Sequence, residues 1–303
     1  MTLRLIAVLG AGTLALGAAH SGHETAVWKR GAPMPVPRSE VAAATVGNEL
    51  VVAGGFLADG RSSRRVDAYS PARNRWRRLP DLPAAVNHAM AASDGHRLYV
   101  VGGYGAPRRA SVLSRGRWRR LPALPEPRAA AGAAIVGRTL YVIGGVAEGG
   151  LAQTSLAFDL RARRWTRIPG PTPREHLGVS ALDGRVYALA GRESGTNFDI
   201  FQAYLPERRR WVSLPRVPET RGGTDSASVG PLLVSAGSES AAGTSAAVYA
   251  FDVRTRRWRR LSDLPTPRHG LGVLGFGGRV YVIGGGPTPG LSVSGANEYL
   301  QLR

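Results

Sequence analysis

The chain has 303 residues and no cysteine, which excludes disulfides, thiolate metal sites and a cysteine nucleophile. Hydrophobic residues make up 43%, as in a globular domain, and 40 glycines with 21 prolines suit many short strands joined by tight turns. The formal charge of +19 rests on arginine, since Lys29 is the only lysine; it favours solubility and anionic partners without naming a ligand.

Residues 1–19 read MTLRLIAVLGAGTLALGAA, with Arg4 ahead of an apolar run and small residues at its end. This is the layout of a secretory signal peptide, and its apolar run of about fifteen residues falls short of the roughly 20 that span a bilayer. Cleavage after Ala19 is expected, giving an exported protein, periplasmic or secreted, with no membrane span and with His20 and His23 near its new terminus. The remainder, residues 20–303, reads as a single domain.

Within it a six-residue phrase recurs: LVVAGG (50–55), LYVVGG (98–103), LYVIGG (140–145), VYALAG (186–191), LLVSAG (232–237) and VYVIGG (280–285). The last glycines stand 48, 42, 46, 46 and 48 residues apart, the mark of a repeat array. In the first repeat the pattern predicts strands at 41–46, 50–54, 66–69 and 76–79, with Gly47-Asn48 turning between the first two. Four antiparallel strands make one propeller blade, so six repeats predict an all-β, six-bladed propeller. An aromatic stands seven residues before a tryptophan in four repeats: Tyr69/Trp76, Phe158/Trp165, Tyr204/Trp211 and Phe251/Trp258. The second repeat lacks that aromatic, and its shorter hairpin before Trp118 explains the 42-residue step. No tryptophan follows the last double glycine, while Trp28 precedes the first. Residues 27–30 are therefore expected to close the sixth blade beside 297–300.

The double glycine, the spaced Tyr or Phe and Trp, and the closing Leu-Pro resemble Kelch repeats over about residues 25–301. No Trp-Asp dipeptide ends the strands, which separates the chain from WD40 repeats. The resemblance implies that the signature glycines and aromatics are structural, and that fourth strands lie outermost. Arg75, Arg77, Arg78 and their counterparts up to Arg256, Arg257, Arg259 and Arg260 would then form a girdle that guards exposed strand edges.

The resemblance also places ligand sites in two loop sets at the channel mouth. One contains Arg38, Arg128, Arg174, Arg221 and Arg268, with Asn87 in the second repeat; these arginines are expected either to contact a ligand or to bond turn carbonyls in every blade. The other follows the double glycine and carries Arg61, Tyr104, Arg108, Glu148, Arg192, Glu193, Asn197 and Glu239. Arg192, His88, His176 and His269 join the ligand-binding candidates. Glu40, Glu175, His176 and His269 are candidate proton carriers, because they break the repeat and are of the types that move protons.

The expectation is a monomeric binding scaffold for a glycan or protein ligand, possibly an anionic one. The arginines are not interleaved with a stacking platform, which argues against nucleic acid. The alternative is a mutarotase or epimerase acting on an acidic sugar such as sialic acid by general acid–base catalysis, although no long loop pairs Glu with Arg as the resemblance to that group would require. A galactose-oxidase-type copper cofactor is excluded, since it needs a Tyr joined to a Cys. No cofactor and no metal site are expected from residue spacing.

Overall fold

Runs of small and β-branched residues separated by tight turns drive each repeat into an antiparallel meander. The computed structural model describes residues 27–302, so the signal-like segment, His20 and His23 lie outside the described residues. Blade 1 pairs Ala42–Val46, Glu49–Ala53, Val66–Ser70 and Arg75–Leu79 in chain order. Blades 2 to 6 begin with Met90–Ser93, Gly132–Val136, Gly178–Leu182, Asp225–Val229 and Gly272–Phe276. Each belongs to a four-stranded sheet, so the described residues form an all-β, six-bladed propeller. Among them no helix is long and apolar enough to cross a membrane.

The sixth blade is completed from the other end of the chain: Lys29–Arg30 pairs with Asn297–Gln301, with Lys29 opposite Tyr299 and Arg30 opposite Glu298. The ring closure can be followed through the tryptophans. Each indole N–H donates to a carbonyl four residues past the tryptophan of the preceding blade: Trp76 to Ala32, Trp118 to Pro80, Trp165 to Pro122, Trp211 to Pro169, Trp258 to Pro215 and Trp28 to Ser262, all at 2.8–2.9 Å. Trp28 therefore does for blade 6 what the other five do for theirs. In blade 2 Leu113 stands opposite Trp118, where four other blades place Tyr or Phe.

A second circle runs through the double glycines. Gly55, Gly103, Gly145, Gly191, Ser238 and Gly285 each donate a backbone N–H to the first residue of the next blade's entry turn: Val86, Arg128, Arg174, Arg221, Arg268 and Arg38. This register corrects two assignments made from the sequence. Ser238, not Gly237, holds the second-glycine place in blade 5, and Val86, not Asn87, stands where the other blades carry arginine. The glycine is required at Gly55: φ is +95°, and a Cβ would lie 2.5 Å from the Ser39 carbonyl oxygen.

The six innermost strands surround a channel of about 340 Å³. Its wall is mostly Ala, Gly and Ser, and Asp225 is an acid among them. Asp225 accepts backbone N–H bonds from Ser226 at 2.7 Å and, across the blade boundary, from Val273 at 3.0 Å. Burial pushes its carboxyl up to about 7, against those two hydrogen bonds. The folded protein thus holds this proton more tightly than the unfolded chain, and the stabilisation is full below the ordinary aspartate value and lost as pH rises through 7. Relative to Asp225→Asn, the wild type is expected to lose on the order of 2 kcal/mol of stability between pH 4 and pH 8, a figure discounted because the group faces the channel. Urea unfolding at both pH values checks this; a difference between the two proteins that does not change with pH would refute it.

Candidate functional site

Each blade is entered by a turn whose third residue is held at left-handed φ: Glu40 at 50°, His88 at 52°, Ala130 at 50°, His176 at 51°, Gly223 at 69° and Gly270 at 58°. Four of the six are not glycine, and such conformations carry local strain that persists only where the surroundings over-determine them. Here the surroundings are a third closed circle. The N–H groups of His88, Ala130, His176, Gly223 and Gly270 each donate to the carbonyl of the equivalent residue one blade back, at 2.8–3.2 Å. Val41 N–H closes the circle on Gly270 at 3.4 Å.

This collar fixes where the four side chains begin, and three of them, Glu40, His88 and His176, carry ionisable groups. Glu40 lies among three imidazoles: its Oε2 is 3.3 Å from His88 Nε2 and 3.9 Å from His176 Nε2, and its Oε1 is 3.6 Å from His269 Nε2. Gly270 leaves the room for this, because a Cβ there would lie 2.3 Å from Glu40 Oε1. The second loop set lies on the same face. In each blade the residue after the turn arginine, or after Val86, meets the residue after the double glycine: Ser39 with Phe56, Asn87 with Tyr104, Ala129 with Val146, Glu175 with Arg192, Gly222 with Glu239 and His269 with Gly286. That pairing brings Arg192 between Glu175, at 3.4 Å, and Glu239, at 2.7 Å, and sets Glu239 Oε2 3.4 Å from His269 Nε2.

The electrostatics follow from this packing. Burial would raise the Glu40 carboxyl, but His88, His176, His269 and Arg192 outweigh it and hold the group below its ordinary value. Burial lowers His88 despite the pull of Glu40. Burial likewise opposes ionisation of Glu175, yet His176 and Arg192 bring it below the usual range. His88 is packed edge-on against Phe56, Tyr104 and His176, with ring centroids 5.6, 5.3 and 4.8 Å away.

Glu40, Glu175, His88, His176, His269 and Arg192, all named from the sequence, are thus brought together at one end of the channel. The repeating arginines are not. Arg38, Arg128, Arg174, Arg221 and Arg268 have no exposed surface. Most of their donors go to carbonyls and to polar side chains inside the blades: Arg174 to Ala190, Thr172, Ala188 and Gln202 at 2.5–3.0 Å, and Arg268 Nη2 to Val282 at 3.2 Å with Glu298 at 3.1 Å. The expectation that these five contact a ligand is corrected, and the turn-carbonyl role accounts for them. Arg61 pairs with Asp59 and Arg108 with Glu148 on exposed loops, away from the cluster. Sequence reasoning missed Asp225, whose one signal is an acid where the other blades have Ala, Met or Gly, and it missed Asn87 as the partner of His88.

A family profile, the KLHDC2/KLHL20/DRC7 Kelch-repeats domain, matches residues 112–286, and the Kelch motif matches residues 37–83. The chain belongs to the Kelch-repeat family. Among curated Kelch relatives, the Kelch-like protein terF of Aspergillus terreus is 32% identical over 166 residues, covering 48% of this chain and 36% of that protein. Human Kelch domain-containing protein 8B is 31% identical over 153 residues, 46% of this chain and 43% of the relative. Beta-scruin of Limulus polyphemus is 28% identical over 149 residues, 46% of this chain and 16% of the relative. The matched stretch spans less than half the length of each of these Kelch proteins.

Proposed function

We propose that this Kelch propeller is a binding scaffold for a protein ligand, which docks on the channel-mouth face. One observation carries the reading: six turns with the same backbone carry unlike residues at the axis, and the departures gather Glu40, His88 and His176 beside His269, Glu175, Arg192 and Glu239. Two exposed apolar side chains, Tyr104 at 43% and Leu291 at 56%, rise from loops that follow the double glycine. An apolar anchor beside a polar cluster suits a protein surface, and Kelch propellers generally bind proteins. Glu40, Glu175 and Glu239 outnumber Arg192 at the mouth, so this reading does not require an anionic ligand. It keeps the exported location that residues 1–19 imply.

The acid–base alternative is weaker on chemistry. Glu40 held low and His88 lowered by burial make two bases rather than an acid and a base. Selecting peptides from a random displayed library against the purified protein tests the proposal. His88→Ala and Tyr104→Ala are expected to weaken the selected peptides about tenfold or more, whereas Arg77→Ala and Arg259→Ala on the outer strands change affinity less than about twofold. Equal losses at mouth and rim would mean a diffuse attraction. Accelerated anomer exchange of sialic acid, followed by NMR, would replace the scaffold with an enzyme.

A further inference from the structure

The three imidazoles around Glu40 are oriented alike. His88 Nδ1 lies 2.5 Å from Asn87 Oδ1, and the Asn87 amide is turned that way because its Nδ2 donates to Ser62 Oγ at 2.8 Å. His269 Nδ1 lies 3.1 Å from the Gly286 carbonyl oxygen. His176 Nδ1 lies 3.3 Å from Glu175 Oε1. The Asn87 and Gly286 oxygens only accept, so Nδ1 of His88 and of His269 carries the proton, and Nε2 of each of these rings, when neutral, carries a lone pair. All three Nε2 atoms are turned to Glu40. Neither ring nitrogen of His176 has a hydrogen-bond partner among the described residues, and its side chain is only 8% exposed.

Lone pairs and a carboxylate that face one another repel unless a positive charge stands between them. A bridging proton would draw donor and acceptor to about 2.7–2.9 Å, as in other charge-assisted pairs. The separations here are 3.3 and 3.9 Å. They suit donors arranged around one ion, since bonds of about 2.0–2.2 Å at tetrahedral angles place neighbouring ligand atoms roughly 3.4 Å apart.

We propose that Glu40 Oε2, His88 Nε2 and His176 Nε2 hold one divalent transition-metal ion of the zinc class at the channel mouth, leaving a coordination position for water or a ligand group. The three donor atoms lie within 4.8 Å of one another. Each belongs to an axial turn residue locked in the hydrogen-bonded collar, so the geometry rests on the rigid part of the fold. Asn87 and Glu175 are the outer partners that set ring orientation in histidine–metal sites. Two imidazoles select against Mg²⁺ and Ca²⁺, which prefer oxygen alone. Glu40, Glu239 and His269 form a second close group, but Glu239 is already bound by Arg192 at 2.7 Å and by Gly290 N–H at 2.9 Å. The inference does not depend on the scaffold reading, because the ion is held by this chain alone.

Calorimetric titration of the untagged, chelator-stripped protein with ZnCl₂ tests it. About one equivalent is expected to bind at this site, at least tenfold more tightly in the wild type than in His88→Gln or His176→Gln. His96→Gln, on an exposed turn of blade 2, leaves it unchanged. His20 and His23 are present in every variant, so any binding they add is common to all. A second readout needs no substitution: in two-bond ¹H–¹⁵N spectra of the wild type, Zn²⁺ moves the Nε2 signals of His88 and His176 and leaves their Nδ1 protonated. A wild type that binds Zn²⁺ no better than the double His88→Gln/His176→Gln variant would overturn the proposal. So would Nε2 signals unmoved at saturating Zn²⁺.

Discussion

A chain that begins at Met34 is expected to melt at least about 10 °C below one that begins at Val27. The segment between them carries the strand of blade 6 that comes from the start of the described residues. Its loss removes the Lys29–Tyr299 and Arg30–Glu298 pairings and the Trp28 hydrogen bond to Ser262. It also removes the Ala32 carbonyl, which accepts from both Trp76 and Asn297. Trp28 packs against the core shared by blades 5 and 6, so its loss leaves a gap between blades rather than a frayed end. Deleting a packed aromatic costs about 3–5 kcal/mol, and for a domain of this size each kcal/mol lowers the melting temperature by roughly 2–4 °C. Trp28→Ala in the longer chain should give a part of the same loss. Calorimetric scans of the three proteins check it, and a truncated chain that melts with the intact one would refute ring closure as a source of stability.

Arg38→Ala is expected to destabilise the protein by about 3–5 kcal/mol, the usual cost of removing one partner from a buried ion pair. Arg38 and Asp67 are both fully buried and 2.6 Å apart, and Nη1 of Arg38 donates to the carbonyls of Gly54 and Arg65 at 2.9 and 2.7 Å. Burial lowers the Arg38 guanidinium to about 10 in spite of Asp67. Arg38→Lys should recover little, since a single ammonium cannot reproduce a planar fork aimed at two carbonyls and a carboxylate. Arg38→Met with Asp67→Leu should cost less than Arg38→Ala alone, because both fully buried charges leave together and Arg65, which Asp67 also holds at 2.8 Å, is partly exposed to water. Urea unfolding of the four proteins measures this; a Lys variant as stable as the wild type would show that charge rather than fork geometry holds the turn.

The fold was legible in the chain because its determinants are local and repeated. Each LVVAGG-like phrase reports a buried strand and a turn by itself, and six in register report a ring. Trp28 was legible as the missing sixth tryptophan for the same reason. The site was legible only in part. Departures from the repeat pointed to Glu40, His88, Glu175, His176 and His269, but their convergence depends on the collar of left-handed turns, which joins each blade to the next, as from Glu40 to His88, and closes from Val41 to Gly270. Spacing along the chain carries no trace of such a cluster, and so no metal site was expected from it. The arginines misled because a residue that recurs in five turns looks alike whether it faces out to a ligand or in to carbonyls. Burial separates the two, and burial at a turn is set by neighbouring blades. In blade 2 the one-residue difference between Val86 and Asn87 was decided by the hydrogen bond from Gly55 to Val86.

In the proposed scaffold, departures from the repeat at the mouth do the binding, while the repeated residues build the ring. Hydrogen exchange of the protein with and without its tightest selected peptide tests this most directly. Protection is expected in the entry turns around His88 and His176 and in the loops that carry Tyr104 and Leu291, with the outer strands Arg75–Leu79 and Arg257–Arg260 unchanged. Protection confined to those outer strands would contradict it and place the working surface on the arginine girdle.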